Sequence, residues 1–226
     1  MYFDTTYIIY VLPALILAMW AQTKVSSTYS KYGNVLSARG ITGAEVAKRI
    51  LSINGVFDVT IERVSGHLTD HFDPRTKVIR LSDSVYDSTS VAALGVAAHE
   101  TGHALQHNQG YIPIKLRNSV LPVANIGSYM AFPLVIFGLF FQSGIMIDVG
   151  IILFSAVVAF QLVTLPVEFN ASNRALKSLS EQAILDGEEL VGARKVLKAA
   201  AMTYVASAAV AIANLLRLLA LTNRRR

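Results

Sequence analysis

The sequence predicts a mostly α membrane protein: a helical transmembrane bundle with a small α/β unit on the cytoplasmic face. Three observations carry that prediction. Hydrophobic residues make up 53% of the chain and charged residues only 15%, with a mean hydropathy of +0.47, so much of this chain must sit in lipid. Four apolar stretches are long enough to be considered as spans. Residues 23–118, between the first two, instead carry the polar and periodic patterning of a soluble unit.

The elements follow in order. Residues 1–22 form the first anchor, with an apolar run from Tyr7 to Trp20 between the polar margins Thr5 and Gln22. It lacks a basic leading region and a small-residue cleavage site before Lys24, so it reads as a retained span rather than a signal peptide. Within residues 23–118, "ITGAEVAKRILSING" predicts an amphipathic helix. Thr42 and Glu45 have capping-box spacing, Val46, Ile50 and Ile53 give an apolar stripe, and Asn54-Gly55 stops it. "VFDVTIERV" alternates over Val59, Ile61 and Val64 as a strand does. "GHLTDHFDPRTKVIRL" predicts a hairpin turning at Asp73-Pro74. "SDSVYDSTS" supplies helix caps, and Val91–His107 then runs as a helix with no breaker but two glycines.

Residues 119–166 form a membrane hairpin: apolar runs from about Val120 to Phe141 and Ile145 to Pro166 are separated only by Gln142, Ser143 and Gly144. Residues 167–200 return as a cytoplasmic helical segment. Residues 201–226 hold a fourth apolar helix, alanine-rich and interrupted by Arg217, and the basic tail Arg224-Arg225-Arg226.

Lysine and arginine near the span ends set the orientation. Lys24, Lys31, Lys115, Arg117, Arg174, Lys177, Arg194, Lys195 and Lys198 all fall on one side if every span crosses. That side is then cytoplasmic, the N-terminus is outside, and the protein is multi-pass in the cell membrane; the arginine tail alone dissents. The net charge of +5 follows from residues that flank spans and meet anionic headgroups, so the lipid bilayer is the partner it implies. Basic residues are scattered and not clustered with aromatics, so no nucleic-acid partner is expected. The absence of cysteine excludes disulfides and thiolate metal sites.

"AAHETGHALQH", residues 97–107, holds three of the five histidines. Four residues advance a helix by about 400° with a rise of about 6 Å, so His99 and His103 point the same way, one turn apart. That is the spacing a tetrahedral zinc needs from two imidazoles. Glu100 can lean over the open position without ligating, where a carboxylate takes a proton from attacking water; this is the H-E-x-x-H arrangement. A merely structural polar cluster is the competing reading, but two histidines and a glutamate on an apolar helix are costly to bury without a partner.

A zinc peptidase site needs a third protein ligand. His67, His71, His107 and the acidic residues are the candidates. Glu168 stands out because it lies two residues after Pro166, where the hairpin returns the chain to the face from which the histidine helix left. The competing reading is an interfacial charge that marks a span end. In "EFNASNRA", residues 168–175, Ser172 lies one turn from Glu168, and Ala171 and Ala175 permit close packing on the histidine helix. His107 is about 12 Å along the axis from His99, too far to share an ion, and is expected to cap the helix C-terminus.

"AAHETGHALQH", "PVEFNASNRA" and the upstream "LTDHFDPRTKVIRLS" together resemble the YugP-like family of neutral zinc metallopeptidases of bacterial membranes, over nearly the whole chain. More distantly the chain is similar to the HtpX-like membrane proteases, where H-E-x-x-H is paired with E-x-x-A-D. The resemblance implies a zincin-like, gluzincin-type peptidase unit, one Zn2+ per chain held by His99, His103 and Glu168, and Glu100 as catalytic base. Ser172 stands where the HtpX-like proteases have aspartate; it can hydrogen-bond behind a ligand but brings no charge. The resemblance also implies an edge strand that binds substrate backbone. "GHLTDHF" and "KVIRL" are the candidates, with Asp70 and His71 placed to reach the cleft or else serving as turn and surface residues.

The function expected is a membrane-anchored zinc endopeptidase acting on peptides or membrane proteins at the cytoplasmic face. A metal-binding scaffold or transporter is the non-enzymatic alternative. A protease cutting within the bilayer fits less well, since the apolar run before His99 is only Val91–Ala98 and its distal ligand would be Asp148, near the hairpin tip.

Overall fold

A computed structural model describes residues 5–223. The tail Arg224-Arg225-Arg226 lies outside the described residues. The chain divides into two compact units, one of Ile112–Pro166 with the described residues up to Gln22 and from Met202, the other of Thr23–Tyr111 and Val167–Ala201.

The first unit is helical. A π-helical turn, Tyr7–Val11, leads into α1 (Leu12–Gly33), and the later apolar segments fall on α5 (Ile112–Phe140), α6 (Gly144–Glu181) and α7 (Gly187–Asn223). Among the described residues four helices are thus long and apolar enough to cross a membrane. α5 and α6 are separated by a short break at residues 141–143. Small residues bring these two helices together: a Cβ on Gly127 would lie 2.4 Å from the Leu153 carbonyl oxygen, so only glycine permits that approach. Ala131, Val135, Phe154, Val158, Ala211 and Leu218 form the buried cluster of this unit.

The helices overrun the apolar stretches that announce them. α1 continues past Gln22 to Gly33, and α6 continues past Pro166 to Glu181. Its 38 residues extend about 57 Å at 1.5 Å each, nearly twice the hydrocarbon thickness of about 30 Å. Proline removes one donor, which the neighbouring turns of a long helix tolerate. The fourth apolar segment likewise lies inside a helix that begins earlier, at Gly187.

The second unit holds α2 (Gly43–Ile53), β1 (Thr60–Val64), β2 (His71–Asp73), β3 (Val78–Ser82), the short α3 (Asp83–Tyr86) and α4 (Val91–Asn108). Thr42 and Glu45 close the predicted capping box on α2, satisfying two of its free N–H groups. Ser90 caps α4 by accepting from the Ala93 N–H at 3.3 Å. β2 and β3 form the predicted hairpin around Asp73, whose carboxylate accepts from the Arg75 N–H and the Thr76 hydroxyl. These bonds hold its pKa below the ordinary aspartate value.

The sheet order is β1-β3-β2, with β1 parallel and β2 antiparallel to β3. This corrects one expectation: "KVIRL" is the central strand, with Ile79 and Leu81 fully buried, and cannot offer an edge. Of the two candidates, β2 alone keeps an open edge. The core joins Val46, Ile50, Ile79, Leu81, Val85 and Leu94 to Ala175 and Leu179 of α6.

Candidate metal centre

The apolar body of α4 positions the histidines. Val91 to Leu94 and Ala97 are fully buried, which fixes the rotation of the helix and leaves His99, Glu100 and His103 on its partly exposed side. The His99 and His103 rings lie edge to face with centroids 4.7 Å apart. Glu168 of α6, only 3% exposed, approaches them with Oε2 3.3 Å from His99 Nε2 and 3.6 Å from His103 Nε2. One donor atom from each of the three residues lies within 4.8 Å of the others.

Gly102 makes that approach possible. A Cβ there would sit 2.7 Å from the carbonyl oxygen of Ala171 and 3.2 Å from its Cα. The backbones of α4 and α6 therefore touch between the two histidines, and Ala171, itself fully buried, keeps the other side thin. The small residues of "EFNASNRA" signalled this packing; Gly102 is its counterpart.

The outer ring nitrogens are also engaged. Ser172 Oγ is 3.2 Å from His99 Nδ1, and Gln106 Oε1 is 3.1 Å from His103 Nδ1. Gln106, fully buried, is the participant that the sequence reading missed. Its one visible signal was an amide one turn beyond His103 on an apolar helix. Both histidines are thus held from behind with Nε2 directed at Glu168, as metal-ligating imidazoles are.

The donor set fits a divalent cation. Glu168 Oε2 is buried without a hydrogen-bond partner, although two imidazole nitrogens face it. With Nδ1 of each ring carrying the proton, three lone pairs converge, an arrangement stable only around a cation. Zinc bonds of 2.0–2.1 Å imply a tetrahedral edge of about 3.3 Å, close to both observed nitrogen–oxygen separations. Burial disfavours an imidazolium at His103, but the carboxylates of Glu168 and Glu100 outweigh it and raise the His103 pKa above the ordinary value.

Glu100 is partly exposed, and among the described residues its carboxylate forms no hydrogen bond or ion pair. The other sequence candidates lie elsewhere. Asp70 spends both carboxylate oxygens on Ser82, accepting from its N–H at 2.7 Å and its hydroxyl at 3.0 Å. This is a clasp that ties the residue before β2 to the end of β3. His71 is exposed on β2 with Nδ1 2.8 Å from the Thr69 carbonyl oxygen. His67 packs edge-on against Tyr29, and His107 against Phe72, in the last turn of α4. None of the four, nor Asp148, belongs to the metal-capable group found among the described residues.

Residues 7–223 match a family model described as "Putative neutral zinc metallopeptidase". The chain belongs to this family. It is 50% identical over 211 residues to the "Putative membrane protease YugP" of Bacillus subtilis (strain 168), an alignment that covers 93% of this chain and 94% of that protein. No solved structure matches the chain. The family is thus the one that the zinc helix and "EFNASNRA" resembled.

Proposed function

We propose that this protein is a membrane-anchored zinc endopeptidase whose site lies on the cytoplasmic side and cleaves peptide or membrane-protein substrates. The observation that carries the reading is the convergence of His99, His103 and Glu168 beside an unengaged Glu100. His99 and His103 would hold the metal through Nε2, and Glu168 through Oε2. A purely structural zinc site is usually closed by a fourth protein ligand; this group has three members among the described residues, which favours catalysis over a scaffold or transporter.

Bound zinc would supply Lewis acidity, polarising the scissile carbonyl and making water acidic enough to deprotonate near neutral pH. Glu100 accepts the proton of the attacking water and passes it to the departing amine nitrogen, so the carboxylate is regenerated in each turnover. Ser172 and Gln106 keep the two imidazoles from swinging away. The open edge of β2 offers N–H and C=O groups to an extended peptide, which would add as a strand beside β3's hairpin partner. The cytoplasmic assignment rests on the lysine and arginine residues beside the spans.

Zinc content and hydrolysis of an unfolded polypeptide, measured together on detergent-purified protein, test the proposal. About one zinc per chain is expected in the wild type, with loss of both zinc and activity in His103→Ala and Glu168→Gln. Glu100→Gln is expected to keep zinc while activity falls by roughly 10²–10⁴-fold, the usual contribution of a general base. Full activity in Glu100→Gln would overturn the mechanism. Full zinc occupancy in Glu168→Gln would overturn the ligand assignment.

A further inference from the structure

We infer that Gln106, locked by Asn170 and Arg174, is a positioning residue that selects the metal-binding tautomer of His103. The inference rests on His103 being a zinc ligand and adds what makes it one.

The Gln106 amide has no freedom to reverse. Its Nε2 donates to the Val167 carbonyl oxygen at 2.8 Å and to Asn170 Oδ1 at 3.0 Å. A backbone carbonyl can only accept, so the NH2 group must face α6 and Oε1 must face His103. Oε1 is likewise only an acceptor, so His103 Nδ1, 3.1 Å away, must be the N–H side of the ring. That leaves Nε2, the atom facing Glu168, with its lone pair free for a metal. Were the amide turned over, its NH2 would face Nδ1, the ring hydrogen would move to Nε2, and the metal-facing lone pair would be lost.

The orientation of Asn170 is fixed in turn. Arg174 Nε donates to the same Oδ1 at 2.6 Å while Arg174 Nη1 donates to Gln109 Oε1 at 2.5 Å and the guanidinium lies over the Tyr111 ring. Arginine has donors only, so Asn170 must present its oxygen to it. Asn170 Oδ1 therefore accepts from Arg174 on one side and from Gln106 on the other, and Gln106 Oε1 accepts in turn from His103, so a lock built on α6 (Arg174, Asn170) fixes a pair on α4 (Gln106, His103). Its inner link is fully buried, where an unmatched amide would be costly. Glu168 and Ser172 serve the metal side of "EFNASNR", and Asn170 and Arg174, also one turn apart, serve the tautomer side.

The test is zinc affinity by chelator competition on detergent-purified full-length protein, together with side-chain 15N NMR of histidine-labelled, zinc-loaded protein. Gln106→Met keeps the volume and removes every polar atom; its zinc dissociation constant is expected to rise about 10–100-fold, and the His103 nitrogens to change from one tautomer to a mixture. Asn170→Leu breaks the lock one step out and is expected to weaken zinc about tenfold, while Asn170→Asp retains an acceptor for both Gln106 and Arg174 and is expected to stay within about twofold of wild type. A fold defect common to any change at position 170 would affect leucine and aspartate alike, and that result would overturn the inference. Wild-type affinity and a single His103 tautomer in folded Gln106→Met or Asn170→Leu would also overturn it. Should His103→Ala bind zinc as wild type does, the ligand assignment itself fails, an outcome separate from these.

Discussion

At the residue scale, the two histidines are held by unlike partners. His103 meets an amide whose direction is forced, whereas His99 meets the Ser172 hydroxyl, which rotates and can donate or accept. Ser172 therefore holds the ring without dictating its tautomer as firmly. Replacing it by alanine is expected to weaken zinc binding by up to about tenfold, less than loss of a ligand would. Ser172→Asp places a charged acceptor behind His99 and is expected to restore or exceed wild-type affinity; chelator competition on the two variants reads both outcomes. A Ser172→Ala protein that loses zinc altogether would mean that the hydroxyl does more than orient the ring.

At the element scale, the centre depends on how closely α4 and α6 approach. Two helices normally pack 8–10 Å apart, and Gly102 against Ala171 removes the side-chain layer that would keep them there. Gly102→Ala forces a methyl against the Ala171 carbonyl, and overpacking of this kind destabilises by about 1–3 kcal/mol. The helices are expected to shift apart and carry Glu168 off the histidines. Zinc affinity and thermal midpoint should both fall, even though alanine is the better helix former. Gly95 is the control: a Cβ there would lie 3.6 Å from the Ala193 Cβ and no closer than 3.8 Å to its backbone, ordinary contacts. Gly95→Ala is expected to keep zinc binding, and equal loss in both variants would mean that α4 tolerates no added volume anywhere.

At the scale of the whole molecule, the basic residues that flank the apolar runs predict which side of the membrane each segment occupies. The chain contains no cysteine, so single introduced cysteines report accessibility without background. Gln142→Cys at the hairpin turn is expected to react with a membrane-impermeant maleimide on intact cells. Ser65→Cys in the α/β unit is expected to react only after permeabilisation. Reversed labelling would place the metal-binding unit outside the cell and overturn the cytoplasmic assignment.

Much of this protein was legible in its residues because the signals are local. The capping box at Thr42 and Glu45, the Asp73-Pro74 turn, the Ser90 cap and the one-turn spacing of His99 and His103 each depend on neighbours within a few positions. Apolar composition located the long helices but not their ends. Hydropathy stops at Gln22 and Pro166, whereas backbone hydrogen bonding, which is indifferent to polarity, carries α1 to Gly33 and α6 to Glu181. The sequence by itself determined the membrane class, the histidine helix and the family. Only the tertiary structure decided the strand order, which put "KVIRL" in the centre and left β2 open, and it alone paired Asp70 with Ser82. It also brought Gln106 against Val167 and Asn170, more than sixty positions away. The physical reason is that a strand's neighbours and a buried amide's partners are chosen by long-range packing, in which the residues that satisfy each other carry no mark of one another in the chain.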